Sequence, residues 1–67
     1  MNGMIYIINS DNMIVRKMEC DYNSAISNYY GKITEEGRWH ILPKNMPPPY
    51  KEVQPVKFDK RKYPEKL

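Results

Sequence analysis

The stretch MIYIINSDNMIVRKME, residues 4–19, decides how the rest of the chain is read. Two runs rich in Ile, Val, Tyr and Met flank Asn9, Ser10, Asp11 and Asn12. Those four short polar side chains hydrogen-bond back to nearby backbone and so favour a turn. The pattern predicts a β-hairpin. In its first strand Ile5 and Ile7 share one face, and Tyr6 and Ile8 share the other. In its second, Ile14, Arg16 and Met18 oppose Met13, Val15 and Lys17. Neither set is cleanly apolar, so alternation alone does not choose the inward face of that strand.

Working outward, DYNSAISNYYG at residues 21–31 carries the marks of a short helix. Asp21 suits the N-cap, where its carboxylate accepts from backbone N–H groups two or three residues on. Tyr22, Ala25, Ile26, Tyr29 and Tyr30 recur at spacings of three and four and form one apolar stripe. Gly31 stands where a left-handed C-terminal cap is usual. A helix of about two and a half turns is unstable alone and must pack on a sheet. KITEEGRWHILP, residues 32–43, then reads as a second hairpin or a turn into a third strand. Gly37 relieves the bend, and Pro43, which cannot donate to a ladder, ends the strand.

These elements predict an α+β fold: a small antiparallel sheet of three to four strands with one short helix on one face. That body occupies residues 1–43, with Ile5, Ile7, Ile26, Tyr29, Ile33, Trp39 and Ile41 as its expected core. Residues 44–67 form an extended, proline-rich, basic tail. Charge divides the chain in nearly the same place. Residues 1–42 hold four cations against five carboxylates, whereas residues 43–67 hold seven against three and contain all six prolines. Val53, Val56 and Phe58 suit the first part of the tail to pack on the body or to add an edge strand.

Sixty-seven residues bury a small fraction of their surface, and such chains usually rely on a further tie. Cys20 is the only cysteine and His40 the only histidine, so neither an intramolecular disulfide nor a Cys/His zinc site is expected. Self-association into a homodimer, or a strap packed on the core, is the remaining tie. The glycines are dispersed and form no phosphate-cradling loop. Glu35 and Glu36 precede a turn glycine, where solvated carboxylates do not acquire the separated pKa values that acid–base catalysis needs. The expectation is a protein that is not an enzyme, with no cofactor, no metal and no small-molecule substrate.

A binding role remains. Three tyrosines on one short helix exceed what a small sheet can cover, and tyrosine is enriched at protein contacts. Tyr22, Tyr29, Tyr30 and Tyr50 are therefore the expected contact residues for a larger protein partner. The alternative is a nucleic-acid partner held by Lys57, Phe58, Lys60, Arg61, Lys62 and Tyr63, where cations interleave with aromatic rings. In PPPY, the residues Pro47, Pro48 and Tyr50 resemble the PPxY ligands of WW domains, which implies a partner bearing such a domain. The same residues also read as a stiff spacer that carries the chain across the body and docks Tyr50.

The apolar run MIYII falls far short of the ~20 residues of a spanning helix, so no membrane association is expected. The expected location is the cytoplasm, or the host cytoplasm for a viral chain. Abundant Ile, Lys, Asn and Tyr reflect an AT-rich coding sequence. Together with small size, that composition suits a phage or other viral accessory protein that inhibits or recruits a host complex.

Overall fold

The structure, a computed structural model, describes residues 1–64. Four strands and one helix follow in the order β1 (Asn2–Ile8), β2 (Met13–Asp21), α1 (Tyr22–Tyr29), β3 (Arg38–Pro43) and β4 (Lys51–Tyr63). The strands form one sheet in the order β3-β1-β2-β4. β1 is antiparallel to both β2 and β3, whereas β4 runs parallel to β2. The sheet is therefore mixed, which corrects the expectation of a wholly antiparallel one. The cause is topological. β3 ends beside Gly3 at one edge, and β4 begins beside Met13 at the other edge and the opposite end. A chain that recrosses the sheet to restart there must run parallel to β2.

The β1–β2 hairpin forms where the turn residues place it. The Asn9 N–H donates to the Met13 carbonyl at 2.9 Å, and Asn12 N–H donates to the Asn9 carbonyl at 3.0 Å. Asn9 Oδ1 accepts from the N–H groups of Asp11 and Met13 at 2.9 and 3.0 Å. Asn12 takes φ 60°, a left-handed conformation that asparagine tolerates and that completes a three-residue hairpin loop.

Asp21 caps α1 by accepting from Ser24 N–H at 3.2 Å. The helix closes at Tyr29, because Tyr30 adopts ψ 125° and Gly31 takes φ 76°. That early exit removes Tyr30 from the apolar stripe and leaves it 82% exposed. Ile33, expected in the core, is 74% exposed. It lies in the turn beyond Gly31, where its one ladder contact is an isolated bridge to Arg38. The space beneath α1 is already filled by Ile5, Ile7, Met18, Cys20 and Ala25.

Both faces of the sheet bury apolar side chains. On the helix face, Val15, Tyr29, Trp39, Ile41 and Tyr63 pack against that first cluster. On the other face, Met4, Tyr6, Ile8 and Ile14 form a second cluster, joined by Leu42, Tyr50 and Val56. Among the described residues no helix covers this side. The connection between β3 and β4 does, beginning with a turn in which Met46 N–H donates to the Pro43 carbonyl at 3.0 Å. It ends with Tyr50 edge-on to His40 at 5.6 Å. A fully buried aliphatic side chain contributes about 1.5–3 kcal/mol. Ile8 and Ile14 together thus match a large share of the net stability usual for a small domain.

α1 carries the chain from β2 to β3 over one face, and the strap at residues 44–50 returns it to β4 over the other. Since β2, β3 and β4 all run parallel, the two crossovers turn in the same sense, in keeping with the single hand such connections share. β4 follows β2 irregularly. Glu52 pairs with Ile14 and Lys57 with Arg16, so residues 53–56 stand against Val15 alone. Pro55 lies in this bulge, where its missing N–H leaves no gap in the ladder. No helix among the described residues is long and apolar enough to cross a membrane.

Candidate interaction surface

β3 is an edge strand, and its outer side is where the molecule presents its largest exposed apolar groups. The turn at residues 32–37 covers only the start of that edge. Trp39 N–H donates to the Lys32 carbonyl at 2.9 Å, and Thr34 and Gly37 exchange N–H···O=C bonds of 2.9 and 3.1 Å. The outward bond of Trp39 fixes the phase of the strand. His40 and Leu42 face β1, as does Lys44, whose N–H donates to the Asn2 carbonyl at 3.1 Å. Ile41 must then aim its N–H and C=O away from the sheet, and neither meets a partner among the described residues.

Alongside this open position lies a groove of about 280 Å³ between α1 and β3, lined by Ile26, Tyr30, Gly31, Trp39, His40 and Ile41. A second hollow of about 230 Å³ continues past Trp39 to Lys32, Ile33 and Arg38. Beneath them, Trp39 packs against Tyr29 at 5.2 Å and Tyr63 at 5.8 Å, while Tyr29 and Tyr63 meet edge-on at 6.1 Å. The Lys32 ammonium sits over both Tyr29 and Trp39, 5.4 and 5.1 Å from the ring centres. Trp39 Nε1–H is buried and meets no acceptor among the described residues. Side chains from the two edge strands thus join on the helix side of the sheet.

The tyrosines named from the sequence do not form one platform. Tyr30 lies on the groove wall and Tyr29 beneath it. Tyr22 is half-buried at the start of α1, where its Cβ would stand 3.0 Å from a Cβ added at Gly3. Tyr50 packs on the opposite face. The residues that sequence reasoning missed are Ile33, Arg38 and the outward backbone of Ile41. An isolated isoleucine among turn residues is the one signal that marks Ile33.

The second candidate set occupies β4. Lys57, Phe58, Lys60 and Lys62 are exposed along this strand. Tyr63 instead turns into the aromatic cluster, and the Arg61 guanidinium lies 5.1 Å from its ring centre. Asp59 interrupts the cations. Its carboxyl is held below the usual carboxylate range by the Arg61 backbone N–H first, and by the Arg61 and Arg16 guanidinium groups after that. Lys17 and Glu52 pair across β2 and β4 at 3.2 Å.

Elsewhere the titratable groups serve the fold. Burial pushes the Cys20 thiol up to about 11, with the Asp21 carboxylate adding to the effect. A thiol so placed is inert, since the thiolate is the reactive form. Burial likewise raises the Tyr6 phenol. Among the described residues, no three His, Cys, Asp or Glu side chains gather to hold a metal ion.

Comparison with protein-family models, with curated proteins and with solved structures returns no match. The functional reading therefore stands on the geometry alone.

Proposed function

We propose that the chain is a non-enzymatic protein-binding module whose contact surface is the flank formed by α1, the turn at residues 32–37 and β3. The observation that carries this reading is the exposure of Tyr30 on the wall of the groove lined by Trp39 and Ile41, and of Ile33 in the hollow that continues it past Trp39. Large apolar groups clustered in one hollow mark contact sites, whereas scattered ones do not. In this reading the protein blocks or recruits a larger partner, as a phage or other viral accessory protein does.

A second reading, binding of nucleic acid along β4, is favoured by one observation: Lys57, Phe58, Lys60 and Lys62 are exposed on a single strand. Salt separates the two, because phosphate-driven binding weakens steeply with ionic strength and an apolar contact does not. The test compares affinity capture from host lysate by the intact chain, by Tyr30→Asp with Ile33→Asp, and by Lys57→Glu with Lys60→Glu. The proposal expects one protein to be retained at high salt by the first and third baits and lost by the second. Loss only with the β4 variant, together with low-salt retardation of random DNA or RNA, would replace it with the second reading.

A further inference from the structure

We infer that the partner engages as an extended strand added to the open edge of β3, with an apolar side chain in the α1–β3 groove and acidic side chains beside it. This rests on the protein-binding reading and specifies how the contact is made.

Among the described residues, three backbone groups stand open along the edge: the Trp39 carbonyl, the Ile41 N–H and the Ile41 carbonyl. The Trp39 carbonyl is open because the Lys32 N–H, which would otherwise reach it, donates to the Tyr29 carbonyl at 3.0 Å, and the Ile41 groups are open because the turn ends short of them. An antiparallel segment can exchange two bonds with Ile41 and donate a third to Trp39. Residues paired across a ladder place their side chains on the same face. Ile41 packs on the helix face. The residue opposite it therefore projects into the groove, between Ile41 and the side chains of Ile26 in α1 and Tyr30 just beyond it. The open ladder position and the apolar hollow coincide, so one extended segment satisfies both.

A second copy of this chain fits the edge less well. In a two-fold pairing centred on Ile41, the Trp39 carbonyl would face residue 43, and Pro43 has no N–H to give. Shifting the register by one step brings Trp39 opposite Ile41, where the Trp39 N–H is already committed to Lys32. Either register yields two hydrogen bonds where a foreign strand makes three. Self-pairing would also crowd like charges. Lys32 and Arg38 line the hollow at one end of the edge and Lys44 lines a shallow pocket at the other. Among the described residues neither Lys32 nor Arg38 makes an ion pair, and Arg38 donates to the neutral Asn12 amide at 3.0 Å. Lys32 and Arg38 call for carboxylates on the incoming segment, whereas Lys44 already faces Glu19 at 4.0 Å. β4, the other edge, is studded with lysines and broken by Pro55, devices that keep an edge strand from pairing.

The probe is a displayed library of random heptapeptides, selected on the intact chain and counter-selected on Tyr30→Asp. Enriched peptides are then synthesised with single N-methyl groups at each position in turn. The inference expects alternating apolar and acidic residues, and affinity lost about tenfold on methylation at just two positions, two residues apart, whose N–H groups donate to the Ile41 and Trp39 carbonyls, each loss the equivalent of about one to two hydrogen bonds. The Ile41→Pro variant should bind about tenfold more weakly, and the Ile41 amide should gain hydrogen-exchange protection with peptide. If Ile41→Pro does not fold, the methylation series decides alone. Peptides lost with Tyr30→Asp but indifferent to methylation would overturn strand addition while leaving the groove as a protein contact. A failure to enrich any peptide would overturn strand addition by linear segments, and the lysate capture above would still judge the broader reading. A concentration-dependent dimer whose Ile41 amide is protected without peptide would give the edge to a second copy.

Discussion

Gly37 separates two reasons for placing glycine in a turn. It takes φ 149°, and a Cβ there would run into the carbonyl oxygen of Ile8, which is backbone and cannot step aside. Gly31 has φ 76° with open space around the position a Cβ would fill. Strain alone in the left-handed region costs about 1–2 kcal/mol. A collision with the backbone of a buried strand adds to that and spreads into β1. Gly31→Ala should therefore lose about 1 kcal/mol, and Gly37→Ala about 3 kcal/mol or more. Chemical denaturation of the two variants side by side checks the order, and equal losses would show that the turn can move away from β1.

At the level of elements, α1 depends on its cap. The Ser24 backbone N–H holds the Asp21 carboxyl below its ordinary value of 3.8, with the Ser24 side chain and the chain's amino group assisting. Because folding lowers this pKa, the ionised cap favours the folded state above about pH 4 and that preference fades as acid protonates it. Asp21→Ala should melt at a lower temperature than the parent at pH 7, and the gap should narrow towards pH 2.5. A gap that does not change with pH would assign the effect to lost packing. This cap was legible from the sequence, as were the Asn9 turn and the glycine after the helix, because each is a local matter of one side chain and its nearest backbone. Tyr30 was named as a contact residue, but the helix exit that frees it and the exposure of Ile33 were not legible. Periodicity extends a stripe as long as apolar residues recur, and only the observed exit at Tyr30 shows where the helix stops holding them.

For the whole molecule, the decisive contact is the most distant one in sequence. β4 lies against β2, so removing residues 44–67 strips both the partner of β2 and the strap over Met4, Tyr6, Ile8 and Ile14. The shortened chain should lose its cooperative thermal transition, read by circular dichroism. A sharp melt within a few degrees of the parent would mean that the first 43 residues form a sufficient core. The sequence allowed the tail to add an edge strand, and it could not show that the strand would be parallel. Lysines facing solvent on an edge obscure its period, and parallel pairing depends on where the crossover lands. The ambiguous alternation of β2 has the same origin: both of its faces are covered, one by the helix and one by the strap.

The matching sense of the two crossovers has a consequence for how the protein is made. Synthesis delivers β1, the most apolar segment, ahead of the pieces that shield it, which arrive in turn. The hairpin leaves the ribosome with Ile5 and Ile7 bare until α1 follows. Ile8 and Ile14 wait longer still, for a strap that begins at residue 44. The nascent chain is therefore stickiest early and inert only when its wrapping is complete, which makes the half-made protein the form that depends most on chaperones.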